Sequence, residues 1–393
     1  MNERVALPPI EPVTMKAQLQ RRLNAREVLL VVLQMLIGAG VGATAMIMLL
    51  KGGAQLAPSG TNAGLVALVA APAALVAIIV QMLVHELGHA LVGQGMGGTI
   101  LRVIIGPWRW ERFRSGLRFT RVRALKGIGG LAQNVLPDGP DFRRAFVAML
   151  LGGPLANLAL AGMAWMLLPV LPVWPLKVFA AALVAMGLLF GLINLLPFRS
   201  GGFQTDGLQL MRAFTDPEAL SMRQRAMRIA RASLDGLRPR EFDPGDLAAL
   251  DVDRSEGMEK LGVQMIHAVV ACDRGDYARM RELLNPALAD WQKLPDGLRQ
   301  SLAAMAALLA IELDREPAAA REWLLRTDAG LVHSFELDWV RARIAELERS
   351  TAERDAALER VRTALDDTIY LGEERVYREK MEAFSSARVT APL

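Results

Sequence analysis

The sequence predicts a mainly α-helical protein with a four-helix transmembrane core, a small membrane-surface β region, and then a soluble α-helical domain. Three observations predict it. Uncharged apolar runs of about 20 residues, enough to cross a bilayer, are confined to the first half of the chain. The connection between the second and third runs is rich in β-branched and aromatic residues between Gly-containing breaks. From Asp206 onward Arg, Glu, Asp, Ala and Leu dominate, with no further run of membrane-spanning length. A length of 393 residues suggests two or more domains. We divide them as a leader at 1–26, a membrane core at 27–210 and a helical domain at 211–393.

The spans are predicted at Val28–Leu50, Gly64–Val92, Ala145–Leu168 and Val178–Pro197. The first follows a polar, basic leader and lacks a small-residue cleavage site, so it reads as retained. Lys16, Arg21, Arg22 and Arg26 precede it, and the next loop carries only Lys51. Arg and Lys residues from Arg102 to Arg144 crowd the connection between the second and third spans, whereas residues 169–176 contain none. Basic loops stay in the cytoplasm, which predicts a multi-pass protein with both termini inside, as in a bacterial inner membrane. The lipid bilayer is then an obligatory partner. A net charge of +4 is too small to argue for nucleic acid. The single cysteine, Cys272, excludes an internal disulfide framework and a cysteine-based zinc site, and reads as a small core residue.

Within the connection 97–140, Thr99–Ile105 reads as a strand, and Trp108, Trp110, Leu117, Phe119 and Val122 are spaced among basic residues. A small antiparallel sheet whose free edge holds an extended segment is one expectation. An interfacial loop with Trp and Arg among lipid headgroups is the other. In the second half, Gly262–Ala287, Leu302–Leu325 and Phe335–Leu365 carry apolar residues at helical spacing. Turns at Asp273–Tyr277, Asp314–Ala318 and Ala352–Ala356 recur at about 40 residues, as in stacked helical hairpins. They resemble tetratricopeptide repeats loosely, since the period exceeds 34 and the Trp and Gly positions are absent, so a plain bundle is equally consistent. Leu234–Val252 reads as the joint leading into this domain, which offers a surface for a cytoplasmic protein partner.

The feature that demands a chemical explanation is His85-Glu86-Leu87-Gly88-His89, inside the second apolar run. Four residues apart on a helix, the two imidazoles share a face and can meet one Zn²⁺ at about 2.0–2.1 Å. Glu86 is then beside the metal without being a ligand, where it can accept a proton from water. The plainer alternative is two histidines hydrogen-bonding across a bundle. A catalytic zinc normally has three protein ligands. Asp206, after the glycine-rich Ser200–Phe203, is the candidate third ligand, and a helix cap is its alternative. Gly152-Gly153-Pro154-Leu155-Ala156-Asn157 interrupts the third span. The glycines allow close helix approach, and the Asn157 amide either bonds another helix or donates to a substrate carbonyl oxygen. His85 lies about 21 residues into its span, or ~30 Å, which puts the site near the cytoplasmic face.

Together, His85-Glu86-Leu87-Gly88-His89, Gly153-Pro154-Leu155-Ala156-Asn157, and Asn194-Leu195-Leu196-Pro197 leading to Asp206-Gly207 resemble, in order, the three signatures of the site-2 protease family of intramembrane zinc metalloproteases. The resemblance covers roughly residues 64–210. It implies one Zn²⁺ per chain on His85, His89 and Asp206, with Glu86 and Asn157 as catalytic residues. It also implies a membrane-protein substrate, cut to release a regulator. The interval from Pro197 to Asp206 is longer than in many members, and no segment reads as an inserted PDZ domain. A membrane scaffold with an inactive zinc site and a zinc transporter are the competing expectations. The single compact site with its adjacent glutamate favours catalysis over transport.

Overall fold

The structure is a computed structural model that describes residues 51–121, 130–200, 203–252, 257–291, 294, 296–327 and 332–389. Among the described residues it is mostly helical, with three helices long and apolar enough to cross a membrane and a small antiparallel sheet. The predicted span at 28–50 lies outside the described residues.

Helix α1 (Ala63–Gly95) starts at Asn62, whose side chain accepts from the Leu65 amide at 2.7 Å. At 1.5 Å per residue its 33 residues extend about 50 Å, beyond a hydrocarbon core of about 30 Å. One face is a buried stripe of Ala70, Ala74, Ala77, Gln81, His85 and Gly88. Leu68, Leu75, Val76 and Leu91 are exposed on the other side. Small and polar residues inside with large apolar residues outside suit a helix whose solvent is lipid. Helices α2 (Phe142–Leu167) and α3 (Trp174–Leu195) pack on that inner stripe. At the α1–α2 crossing, Gly88 and Gly152 are so close that a Cβ on either would overlap the other's carbonyl oxygen.

The connection between α1 and α2 is a sheet of β1 (Thr99–Ile105), β2 (Trp108–Phe113), β3 (Gly116–Arg121) and β4 (Gly130–Val135), ordered β3-β2-β1-β4 and antiparallel throughout. Gly106 and Gly116, at φ 53° and 122°, allow the two tight turns. The sheet reading is therefore the correct one for this connection. Strand β1 is an interior strand with Leu101–Ile105 buried, and among the described residues the sheet edges are β3 and β4. The residues of β1 are apolar apart from Thr99 and the paired Arg102, which suits a strand flanked on both sides.

After α3, two short strands, β5 (Arg199–Ser200) and β6 (Phe203–Gln204), form a hairpin. Helices α4 (Asp206–Thr215), α5 (Pro217–Leu234) and α6 (Pro244–Ala249) follow. The rest is three helical hairpins and a final helix: α7 (Gly257–Asp273) with α8 (Tyr277–Ala289), α9 (Asp296–Glu312) with α10 (Pro317–Leu324), α11 (Ser334–Leu347) with α12 (Thr351–Asp367), then α13 (Leu371–Val389). Each hairpin turn uses a left-handed residue: Gly275, Arg315 and Arg349 at φ 75°, 59° and 61°. The third predicted turn is misplaced, since 352–356 lies within α12 and the chain reverses at Glu348–Ser350. The charged string that suggested a turn there is the solvated first turn of a helix.

The helical domain touches the sheet. The β2–β3 tip donates from the Arg114 amide to the Asp367 carbonyl at 2.8 Å and from the Ser115 amide to the Asp367 carboxylate at 2.7 Å. Arg118 pairs with Asp367, and Arg114 with Glu374. Arg102, buried in β1, pairs with Glu111 at 3.3 Å and donates to the Tyr370 hydroxyl at 3.3 Å.

Candidate metal centre

Helix α1 presents His85 and His89 one turn apart, with ring centroids 4.7 Å apart and planes near perpendicular. Asp206 arrives from the other end of the core. The cap of α4 is Thr205, whose hydroxyl accepts from the Leu208 amide at 3.2 Å and donates to the Leu196 carbonyl at 2.6 Å. Asp206 is thus the first residue of its helix rather than the cap, and its carboxylate is free to turn toward the histidines. The β5–β6 hairpin absorbs the long interval after Pro197. Gly207 fits because a Cβ there would overlap the Leu195 carbonyl.

The two His Nε2 atoms are 3.1 Å apart, and an Asp206 oxygen lies 3.2 Å from one and 3.4 Å from the other. The edge of a tetrahedron of zinc ligands at 2.0–2.1 Å is roughly 3.3–3.4 Å. Among the described residues these three form a group of donors whose spacing suits one metal ion. The tautomers are consistent with it. His85 Nδ1 lies 2.9 Å from the Asn157 carbonyl oxygen and His89 Nδ1 lies 2.7 Å from the Met149 backbone carbonyl. Both contacts call for a proton on Nδ1, which leaves each Nε2 lone pair aimed at the shared point. The Asp206 carboxylate is the third member of this donor group.

Glu86 and all three donors line one cavity of about 880 Å³. Gly130 of β4 sits against the Glu86 carboxylate, where a Cβ would overlap it, and the Ala132 backbone hydrogen-bonds to it. Asn157 is completely buried and is absent from the cavity lining. Its oxygen faces His85 and its amide nitrogen donates to the Gln81 carbonyl at 3.2 Å. Of the two roles open for it from sequence, the helix-to-helix bond is the one present. Gly152 serves the helix crossing, while Gly153 faces the histidines, where a Cβ would overlap His89 Nε2.

Several contributors escaped the sequence reading. Gln81 anchors the centre to α3 by donating to the Leu183 carbonyl at 2.8 Å, and its position on the His85 face was the available signal. Asn134 donates to the His89 carbonyl at 2.9 Å and fixes β4 along α1. His333, Tyr370 and Glu373 of the helical domain line the same cavity as the donors, a long-range placement that no local pattern encodes.

Residues 73–176 match the family model described as Peptidase family M50, the site-2 protease family. The match covers about a quarter of the chain and takes in His85, Glu86, His89 and Asn157 but not Asp206. No curated protein and no solved structure matches the chain.

Proposed function

We propose, on the premise that residues 73–176 belong to a metalloprotease family, that the chain is an intramembrane zinc metalloprotease of the site-2 type. It hydrolyses peptide bonds of membrane-embedded or membrane-tethered proteins and releases a regulator to the cytoplasm. The observation that carries this reading is the convergence of His85, His89 and Asp206 at zinc-ligand spacing in one cavity with Glu86. His85, His89 and Asp206 hold the ion, and when bound it supplies a Lewis acid that polarises a carbonyl and acidifies water. Glu86 takes the proton from the attacking water and passes it to the leaving amine. Asn157 is a positioning residue that keeps the His85 proton on Nδ1.

A substrate helix satisfies its own carbonyls, so it must unwind before attack and the freed groups need partners. Strand β4 suits this, being a sheet edge whose Gly130 borders Glu86. The wider organisation follows the same reading: leader 1–26, core 27–210 with a fourth span at 28–50, and helical domain 211–393. Both termini lie on the cytoplasmic side of a bacterial inner membrane. The hairpins of the helical domain act as a tetratricopeptide-like surface for a cytoplasmic partner in regulated proteolysis.

The test compares membrane-protein fragments in cells carrying the unaltered chain or Glu86→Gln. A fragment that disappears with Glu86→Gln, in protein that still carries zinc, is expected. Identical fragment patterns, with Glu86→Gln and the unaltered chain made in equal amounts, would contradict the reading.

A further inference from the structure

The catalytic cavity does not end at the metal centre. A cleft of about 340 Å³ between α5 and α7 adjoins it, and Phe203, Gln204, Gln209, Arg223 and Leu298 line both. The remaining cleft wall is largely apolar, with Met222, Val263 and Ile266. Arg223 lines both spaces.

Its neighbours on α5 are all engaged. Arg225 and Arg228 pair with Asp246 at 2.8 and 2.9 Å, and Arg231 donates to the Thr99 hydroxyl at 2.9 Å. Arg223 has no carboxylate partner among the described residues. Its guanidinium makes one long hydrogen bond, 3.4 Å to the Gln209 amide oxygen, and lies 5.8 Å from the Phe146 ring centroid. The nearby acid, Glu259, is held by Arg212 at 3.3 Å. Arg223 is an exposed side chain, and its guanidinium has donors free for an incoming acceptor. Its planar fork fits a carboxylate with two parallel hydrogen bonds. Gln204 and Gln209 flank it with amides suited to a peptide backbone.

We propose that Arg223 is a specificity-determining residue that takes a carboxylate of the substrate segment running from the metal centre into the α5–α7 cleft. This rests on the protease reading above and narrows it to substrates carrying an acidic side chain, or a free chain end, at a fixed distance from the cut. A lipid phosphate is disfavoured, because Arg223 lines the cavity that holds the metal donors rather than the lipid-facing surface of the bundle.

The experiment uses the full zinc-loaded chain in detergent with Glu86→Gln, which binds without cleaving. Its probes are fluorescent peptides with an apolar core and Asp, Asn or Lys walked through the flanking positions, each with a free or amidated C-terminus. At one position the Asp peptide is expected to bind about 3- to 5-fold more tightly than its Asn counterpart, the strength of a partly screened charge pair. Adding Arg223→Gln abolishes the preference, Arg223→Glu turns it toward Lys, and Arg223→Lys restores part of it. A preference that follows the free C-terminus would assign the carboxylate to the chain end. Asp, Asn and Lys ratios unmoved by Arg223→Gln would overturn the proposal, including the case where every peptide binds equally less well. So would unmoved ratios accompanied by lost binding to phosphatidylglycerol vesicles. Cleavage of the same peptides by the chain with Glu86 intact tests the protease reading separately.

Discussion

Two glycines separate the parts of the centre at the level of single side chains. Gly153 faces the imidazoles and Gly130 faces Glu86, and in both places a Cβ would overlap the functional group. Gly153→Ala should therefore release zinc, and Gly130→Ala should keep zinc while lowering kcat, as zinc content and turnover on the same preparations would report. Removing Glu86 itself, as Glu86→Gln, should cost about 10²–10⁴ in rate with zinc retained. Asn157→Ala removes the partner of His85 Nδ1 and should weaken zinc affinity by about 10- to 100-fold, measurable by chelator competition. The ligand pair was legible in the sequence because four-residue spacing on a helix fixes its geometry. The role of Gly130 was not legible, since it depends on a strand folding back against a helix that ends 35 residues earlier, at Gly95.

Helices and strands differ in how much their own pattern specifies. The spans predicted at 64–92, 145–168 and 178–197 correspond to helices at 63–95, 142–167 and 174–195, because apolar length alone dictates a membrane helix. Strand β1 was legible as a strand, but its interior position depends on which strands flank it, and β4 is distant in sequence. The third hairpin turn was misread because a charged run marks solvent on a helix as readily as a loop. The α1–α2 crossing yields a prediction of its own. Gly88→Ala would press a methyl into the Gly152 carbonyl and should destabilise the core by about 1–3 kcal/mol, seen as a lower unfolding temperature in detergent.

Across the whole molecule, membrane core and helical domain share one cavity. Glu336 on α11 and Glu373 on α13 are raised by burial, to about 7 and about 8, and for Glu373 the neighbouring Glu336 charge adds to the rise. Folded values above the unfolded value mean the folded state binds more protons across the interval. The stability they contribute is full below about 4.5 and is lost as pH rises through about 7 to 8. The full chain should therefore melt at lower temperature at pH 8 than at pH 5, and Glu336→Gln with Glu373→Gln should flatten that slope. A slope unchanged by the double substitution would assign it to other groups.

Asp206 lies outside the family match, and the fold brings its carboxylate to the two histidines. Zinc content of the purified chain with Asp206→Asn, set against the unaltered chain loaded in parallel, is the decisive measurement. One ion per unaltered chain and a large loss with Asp206→Asn are predicted. Full zinc occupancy with unaltered affinity in Asp206→Asn would contradict the three-donor centre.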